Sequence, residues 1–257
     1  MSDGEGTAMG QTAEERHADD VRALRERREL ICERIRAASR TAGRDASEVS
    51  VVAVSKTVGP EEVRKAWAAG YRIFAENRPQ ELRRKRSALA DDAELAHARF
   101  DMIGNLQTNK VNLVLELADL IQSVSSVRLA EAISARAERR GAPAAALIEV
   151  NVVGEGSKQG FSVEDAVAQA ERVVALPGLD VRGTMAMAPA HDADAARRAF
   201  AGLHELTGEL RRRTGLPLPV ISCGMSDDYE IAVEEGSTMV RLGRIVFDPT
   251  YNLSGQE

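Results

Sequence analysis

Cysteine is nearly missing from this chain. Only Cys32 and Cys223 are present, far apart and without metal-ligand spacing. That excludes a disulfide framework and a structural zinc site, and it fits free thiols in a reducing compartment. Aromatic residues make up only 4% of the sequence, so the stacking platforms that hold single-stranded nucleic acid are not expected. Positive charge is not in surplus either, and a formal net charge of −6 gives no overall attraction to a phosphate backbone. No run approaches the roughly 20 apolar residues of a membrane span, and the N-terminus lacks the apolar centre of a secretory signal. A soluble, cytoplasmic protein is expected, with neither nucleic acid nor membrane as partner. The glycine fingerprint for dinucleotides and the P-loop pattern GxxxxGK(S/T) are also missing, which argues against the open-sheet nucleotide folds.

What is present is a regular alternation. Residues 1–12, "MSDGEGTAMGQT", are small, polar and glycine-rich and are expected to be disordered. Residues 13–42 then read as one long amphipathic helix, with Val21, Leu24, Leu30, Ile31 and Ile35 at near-helical intervals and Gly43 as its stop. Short apolar, β-branched runs follow at 49–54, 71–74, 100–103, 120–124, 145–150, 181–185, 220–223 and 239–242. Segments of helical composition separate them, at 60–69, 79–89, 107–117, 127–140, 163–175, 193–213 and 227–235. Strands alternating with helices imply parallel βαβ units, and this many in a chain of 257 residues imply a closed (β/α)8 TIM barrel with an additional N-terminal helix. No proline- or serine-rich linker divides the chain, so a single domain over 13–250 with a short tail at 251–257 is expected. The basic runs "RRKR" at 83–86 and "RRR" at 211–213 lie in helical surroundings and read as solvated helix faces.

In such a barrel, chemistry belongs at the C-terminal ends of the strands. Polar residues gather there: Ser55 and Lys56 after the first run, Glu76, Asn77 and Arg78 after the second, and Asn151 with "GEGSKQGF" after the fifth. Near the end of the chain, "SCGMSDDYE" at 222–230 leads a strand through Gly224 and Ser226 into a helix. It suits an anion site, or equally a helix cap built from Ser226 or Asp227. The following "VRLGR" adds Arg241 and Gly243, and the loops after the last two strands form the usual barrel phosphate site. Lys56 could snorkel to solvent from its strand end. It could instead be an imine-forming amine, favoured by partial burial and nearby cations. An amine, an anion cradle and Arg241 together match what pyridoxal phosphate needs, whereas a lysine-imine sugar-phosphate aldolase needs the first two only.

Seven motifs in order extend this reading: "VAVSKT" around Lys56, "FAEN" at 74–77, "IGNLQTNK" at 103–110, "NVVGEGSKQGF" at 151–161, "GTMAM" at 183–187, "GMSDD" at 224–228 and "GSTMVRLG" at 236–243. With them the chain resembles the YggS/PROSC family of pyridoxal phosphate homeostasis proteins, which share the alanine racemase barrel without its second domain. The likeness covers about residues 25–248. It implies that Lys56 holds pyridoxal 5′-phosphate as a Schiff base and that Arg241 faces the pyridine nitrogen. Asn77 and Met185 would line the ring, while Ser226, Gly243 and the backbone near Gly224 would cradle the phosphate. It further implies a monomer that holds the cofactor without substrate turnover, with apo-enzymes that use pyridoxal phosphate as candidate partners. The sequence departs from the family pattern at Ala75, Asp101, Arg244 and Asp248. Arg244 stands where a small residue or a threonine hydroxyl would reach the phosphate, so it either compensates by charge or crowds the site. The competing expectations are an amino-acid racemase, a lysine-imine aldolase and a partner-binding scaffold. A racemase of this type needs a second base opposite the lysine, commonly a tyrosine from a C-terminal domain, and here Tyr251 falls in the short tail.

Overall fold

The computed structural model describes residues 12–154 and 159–253. Most of the expected N-terminal disordered stretch, part of the "GEGSKQGF" loop and the end of the tail lie outside them.

The chain opens with helix α1 (Ala13–Thr41), whose start is set by a capping box. Thr12 Oγ1 accepts from the Glu15 backbone N–H at 3.2 Å, and the Thr12 N–H donates to the Glu15 carboxylate at 2.7 Å. The strands β1 (Ser50–Val54), β2 (Ile73–Glu76), β3 (Arg99–Met102), β4 (Leu120–Val124), β5 (Ala144–Glu149), β6 (Leu179–Met185), β7 (Val220–Ser222) and β8 (Met239–Leu242) follow. Between them run α2 (Pro60–Ala68), α3 (Pro79–Ala88), α4 (Val111–Leu117), α5 (Val127–Arg140), α6 (Val163–Val174), α7 (Ala193–Thr214) and α8 (Tyr229–Glu234), with the short α9 (Arg244–Phe247) after β8. The strands pair in parallel in chain order, and β1 pairs back onto β8, so the sheet closes into the expected (β/α)8 barrel.

The strand period of two divides each strand between two environments. Outward residues such as Ala53, Phe74, Phe100 and Val240 pack under the helices. Inward residues Val52, Val54, Ala75, Leu120, Leu147, Met185 and Met239 fill the barrel. The interior is not wholly apolar, because Asp101, Gln122, Ser222 and Arg241 are buried in it as well.

Among the described residues after β8, only the four of α9 form a helix, too short to cover the seam where β8 meets β1. Helix α1 lies there instead, packing against α2, α8 and α9 through buried Ile31, Ile35 and Ala38. Arg27 donates to the carbonyls of Ile245 and Pro249 at 3.1 Å, and Arg34 donates to that of Leu253. Tyr251 and Leu253 pack against the same outer core.

Some expectations shift. The second strand starts at Ile73 rather than Tyr71, because Tyr71 is buried in the helical shell beside α1 and α2. The fourth helix starts at Val111, after a 3-10 turn at Thr108–Lys110. The basic runs are not simply solvated faces. Lys85 is fully buried, Arg86 stacks 4.8 Å over Phe100 while bonding Asp119, and Arg211 ties down the carbonyls of Pro217 and Leu218.

Candidate functional site

Continuing the inward alternation past each strand end gives the residues at the mouth. Val52 and Val54 lead to Lys56 beyond β1, Ile73 and Ala75 to Asn77 beyond β2, and Leu147 to Glu149 at the end of β5. Met185 on β6, Gly224 beyond β7 and Gly243 beyond β8 complete the rim. Lys56 is exposed and Asn77 half-buried, whereas Met185 is buried in the barrel interior.

Two glycines shape this rim. A Cβ on Gly104 would sit 2.1 Å from the Asn77 carbonyl oxygen, so the loop leaving β3 lies directly on the Asn77 backbone and holds it in place. Gly224 has φ +92°, and a Cβ there would meet the Ala232 methyl at 2.6 Å. Only glycine permits the turn from β7 into α8 at this closeness.

The strand end that carries Lys56 is pinned from behind. Lys85 on α3 donates to the Ser55 carbonyl and to Glu76 Oε1, and the Ser55 hydroxyl donates to the same Glu76 oxygen at 2.6 Å. Lys85 and Glu76 are completely buried as an ion pair. Glu76, expected at the rim, thus faces away from the mouth and fixes the residue before Lys56.

Arg241 lies one layer below the rim, opposite Val52 in the register of β1 and β8. Its guanidinium donates to Ser222 Oγ at 2.7 Å and to the Ala186 carbonyl at 3.0 Å. Burial lowers its pKa, and the carboxyls of Asp228 and Glu149 are among the groups that oppose the effect. Glu149 is 5% exposed, and its Oε2 has no hydrogen-bond partner among the described residues. Burial pushes its carboxyl up to about 7, with Arg241 acting in the other direction.

The loops after β7 and β8 are tied together. Ser226 Oγ accepts from the Ile245 backbone N–H in the first turn of α9 at 3.2 Å rather than capping α8, while Asp228 accepts from the Met225 N–H. Arg244 is drawn to Asp227 and lies 5.8 Å from the centre of the Tyr251 ring. The Tyr251 hydroxyl donates to the Ser226 carbonyl at 2.8 Å and reaches Asp227 Oδ1 at 2.9 Å. Sequence reasoning singled out Lys56, Arg241, Met185 and Asn77, but it passed over Glu149, Gln122, Ser222 and the Lys85–Glu76 pair. Strand parity could have found Glu149 and Gln122, each the polar residue two places beyond an inward leucine, Leu147 and Leu120, and Ser222, two places before Gly224.

Among the described residues no helix is long and apolar enough to cross a membrane, and no cluster of His, Cys, Asp and Glu could hold a metal ion. Cys32 and Cys223 are free thiols. Fold and site therefore define a closed (β/α)8 barrel with an amine at its mouth and a buried arginine beneath it.

The chain belongs to the family described as alanine racemase, N-terminal domain, which matches residues 30–249. It is 39% identical over 224 residues to the pyridoxal phosphate homeostasis protein of Aquifex aeolicus, covering 86% of this chain and 96% of that one. A crystal structure of an unknown protein from Bifidobacterium adolescentis superposes with a TM-score of 0.83 at 36% identity, covering 93% of this chain and 98% of that one. PipY of Synechococcus elongatus, solved with pyridoxal phosphate bound, superposes with a TM-score of 0.73 at 32% identity, covering 84% of this chain and 99% of that one.

Proposed function

We propose that this protein binds pyridoxal 5′-phosphate at the barrel mouth, carries it as a Schiff base on Lys56, and serves intracellular pyridoxal phosphate homeostasis without turning over a substrate. The observation that carries this reading is the placement of exposed Lys56 just beyond the end of β1, the strand adjacent to β8, with the guanidinium of Arg241 buried one layer lower. The residues present fit the group. Glu149 Oε2 is buried and unfilled by any protein donor among the described residues, so the mouth holds a polar position suited to a polar ring. The relatives named for pyridoxal phosphate homeostasis and the cofactor-bound PipY structure support the same reading.

When bound, pyridoxal phosphate supplies an aldehyde that condenses with an amine and a ring that withdraws electrons to the extent that its nitrogen is protonated. Lys56 is the amine within reach of solvent and of an incoming aldehyde. Arg241 offers hydrogen-bond donors but keeps its own proton, so facing the ring nitrogen it would leave that nitrogen unprotonated and damp the ring's electron demand. Met185 provides an apolar wall and Asn77 a polar edge. Ser226 and Gly243 are assigned to the phosphate side. Arg244 is assigned there too, with its charge shared with Asp227. The chain has three tyrosines. Tyr71 and Tyr229 are buried in the outer core, and Tyr251 is engaged with Ser226 and Asp227, which supports a site without a tyrosine base opposite the lysine. A cytoplasmic monomer that passes the cofactor to apo-enzymes completes the proposal.

The test is an absorbance spectrum of the purified protein with added pyridoxal phosphate, before and after borohydride. A yellow protein that bleaches, and a colourless Lys56→Ala variant, are expected. Full colour in Lys56→Ala would overturn the assignment. Amino-acid racemisation or sugar-phosphate cleavage above background, lost in the same variant, would replace homeostasis with catalysis.

A further inference from the structure

A line of hydrogen bonds runs through the barrel from its floor to the arginine beneath its mouth. Arg99, the first residue of β3, grips Asp101 with two bonds, Nε to Oδ1 at 2.7 Å and Nη2 to Oδ2 at 2.9 Å. Gln122 on β4 donates Nε2 to Asp101 Oδ2 at 2.7 Å. Ser222 on β7 donates to Gln122 Oε1 at 2.7 Å, and Arg241 on β8 donates to Ser222 Oγ at 2.7 Å. Asp101, Gln122 and Ser222 are fully buried and Arg241 is nearly so. Polar groups in a barrel core are costly unless every one is satisfied, and apolar side chains would fill the same space at lower cost.

The line has one direction. Arginine can only donate, so Ser222 must accept from Arg241 and has a single proton left, which goes to Gln122 Oε1. The Gln122 amide is thereby turned with its NH2 toward Asp101; burial raises the pKa of that carboxyl, but the two bonds from Arg99 oppose the shift and hold it as a carboxylate that can only accept. Donor-only and acceptor-only ends leave no second arrangement.

We propose that Asp101 is a positioning residue for Arg241: acting through Gln122 and Ser222, it fixes the order of hydrogen bonds that holds the guanidinium in one orientation beneath the mouth. The effect on bound cofactor rests on the reading that Arg241 faces the ring; the orientation of Arg241 itself does not. A barrel-floor plug made by the Arg99–Asp101 pair alone would contribute stability and leave Arg241 untouched.

The deciding measurement is made first on the protein without cofactor. Solvent exchange of the Arg241 guanidinium protons is followed by NMR, with the signal assigned by its loss in Arg241→Lys. Asn offers one acceptor oxygen where Asp offers two, so in Asp101→Asn it cannot serve both Arg99 donors and Gln122. Exchange is expected to quicken about tenfold, the value of one well-made hydrogen bond. Gln122→Leu, which leaves the Arg99–Asp101 pair intact, should quicken it similarly. Adding Asp101→Asn to Gln122→Leu should then do nothing more. Unchanged exchange in Asp101→Asn, or an undiminished further effect in the Gln122→Leu background, would overturn the proposal. If a variant is too unstable to study, Ser222→Ala interrupts the same line beside Arg241 and takes its place in the cycle. With pyridoxal phosphate added, Asp101→Asn and Gln122→Leu should both shift the midpoint of the pH titration of the yellow band, non-additively. A wild-type protein that stays colourless sinks the cofactor reading while the exchange data still decide the role of Asp101.

Discussion

A carboxyl at an inward position of a barrel strand loses most of its water, and ionisation then becomes costly. Glu149 is in that position, and burial holds its carboxyl up at about 7 against an ordinary 4.5. Between those values the folded chain holds a proton that the unfolded chain gives up. The stabilising contribution is therefore complete below about 4.5 and is lost as pH rises through about 7. Glu149→Gln should abolish this part of the pH dependence, worth roughly 3 kcal/mol at most. Urea unfolding of both proteins at about pH 5 and about pH 8 checks it, and parallel pH profiles would show that Glu149 is solvated after all. Lys56 and Arg241 were legible in the sequence because each ends or nearly ends a β-branched run next to glycine. Asp101 was visible only as a departure from a family pattern. Its meaning lay in partners that sequence does not bring together, since Ser222 and Gln122 are 100 positions apart.

At the scale of elements, alternation of apolar runs with helical segments gave the barrel, because parallel strands buried on both faces are written as near-continuous apolar runs. What it misread follows from the same rule. Tyr71 counted as strand because it is apolar, yet it is buried on the helical side of the turn. Lys85 counted as solvated because it sits in a basic run, yet it points inward from α3 and closes a fully buried pair with Glu76. Breaking such a pair leaves a charge uncompensated. Lys85→Met should therefore lower stability by about 3–5 kcal/mol, and adding Glu76→Gln should recover most of the loss. Denaturant unfolding of the single and double variants measures it. Equal loss in both would mean that packing, rather than charge, holds the end of β1.

For the molecule as a whole, a cofactor that binds the folded chain alone must raise its unfolding temperature. At a concentration of about 100 times Kd the gain is about 2.7 kcal/mol, which in a domain of this size corresponds to about 5–10 °C. Calorimetry with and without pyridoxal phosphate should show that rise, and Lys56→Ala should lose most of it. An equal rise in the variant would place the binding energy elsewhere than the covalent bond.

The seam where β8 meets β1 joins the first strand of the barrel to be made to the last. Helix α1 is made before every strand of the barrel, yet it waits for α8 and α9 before its apolar face is fully covered. Arg241 likewise reaches its register beside Val52 only when β8 arrives. An unfinished chain can present Lys56 but has no guanidinium to set beneath it. The amine and its arginine become neighbours in the same step that closes the barrel, so a nascent chain cannot assemble the complete site.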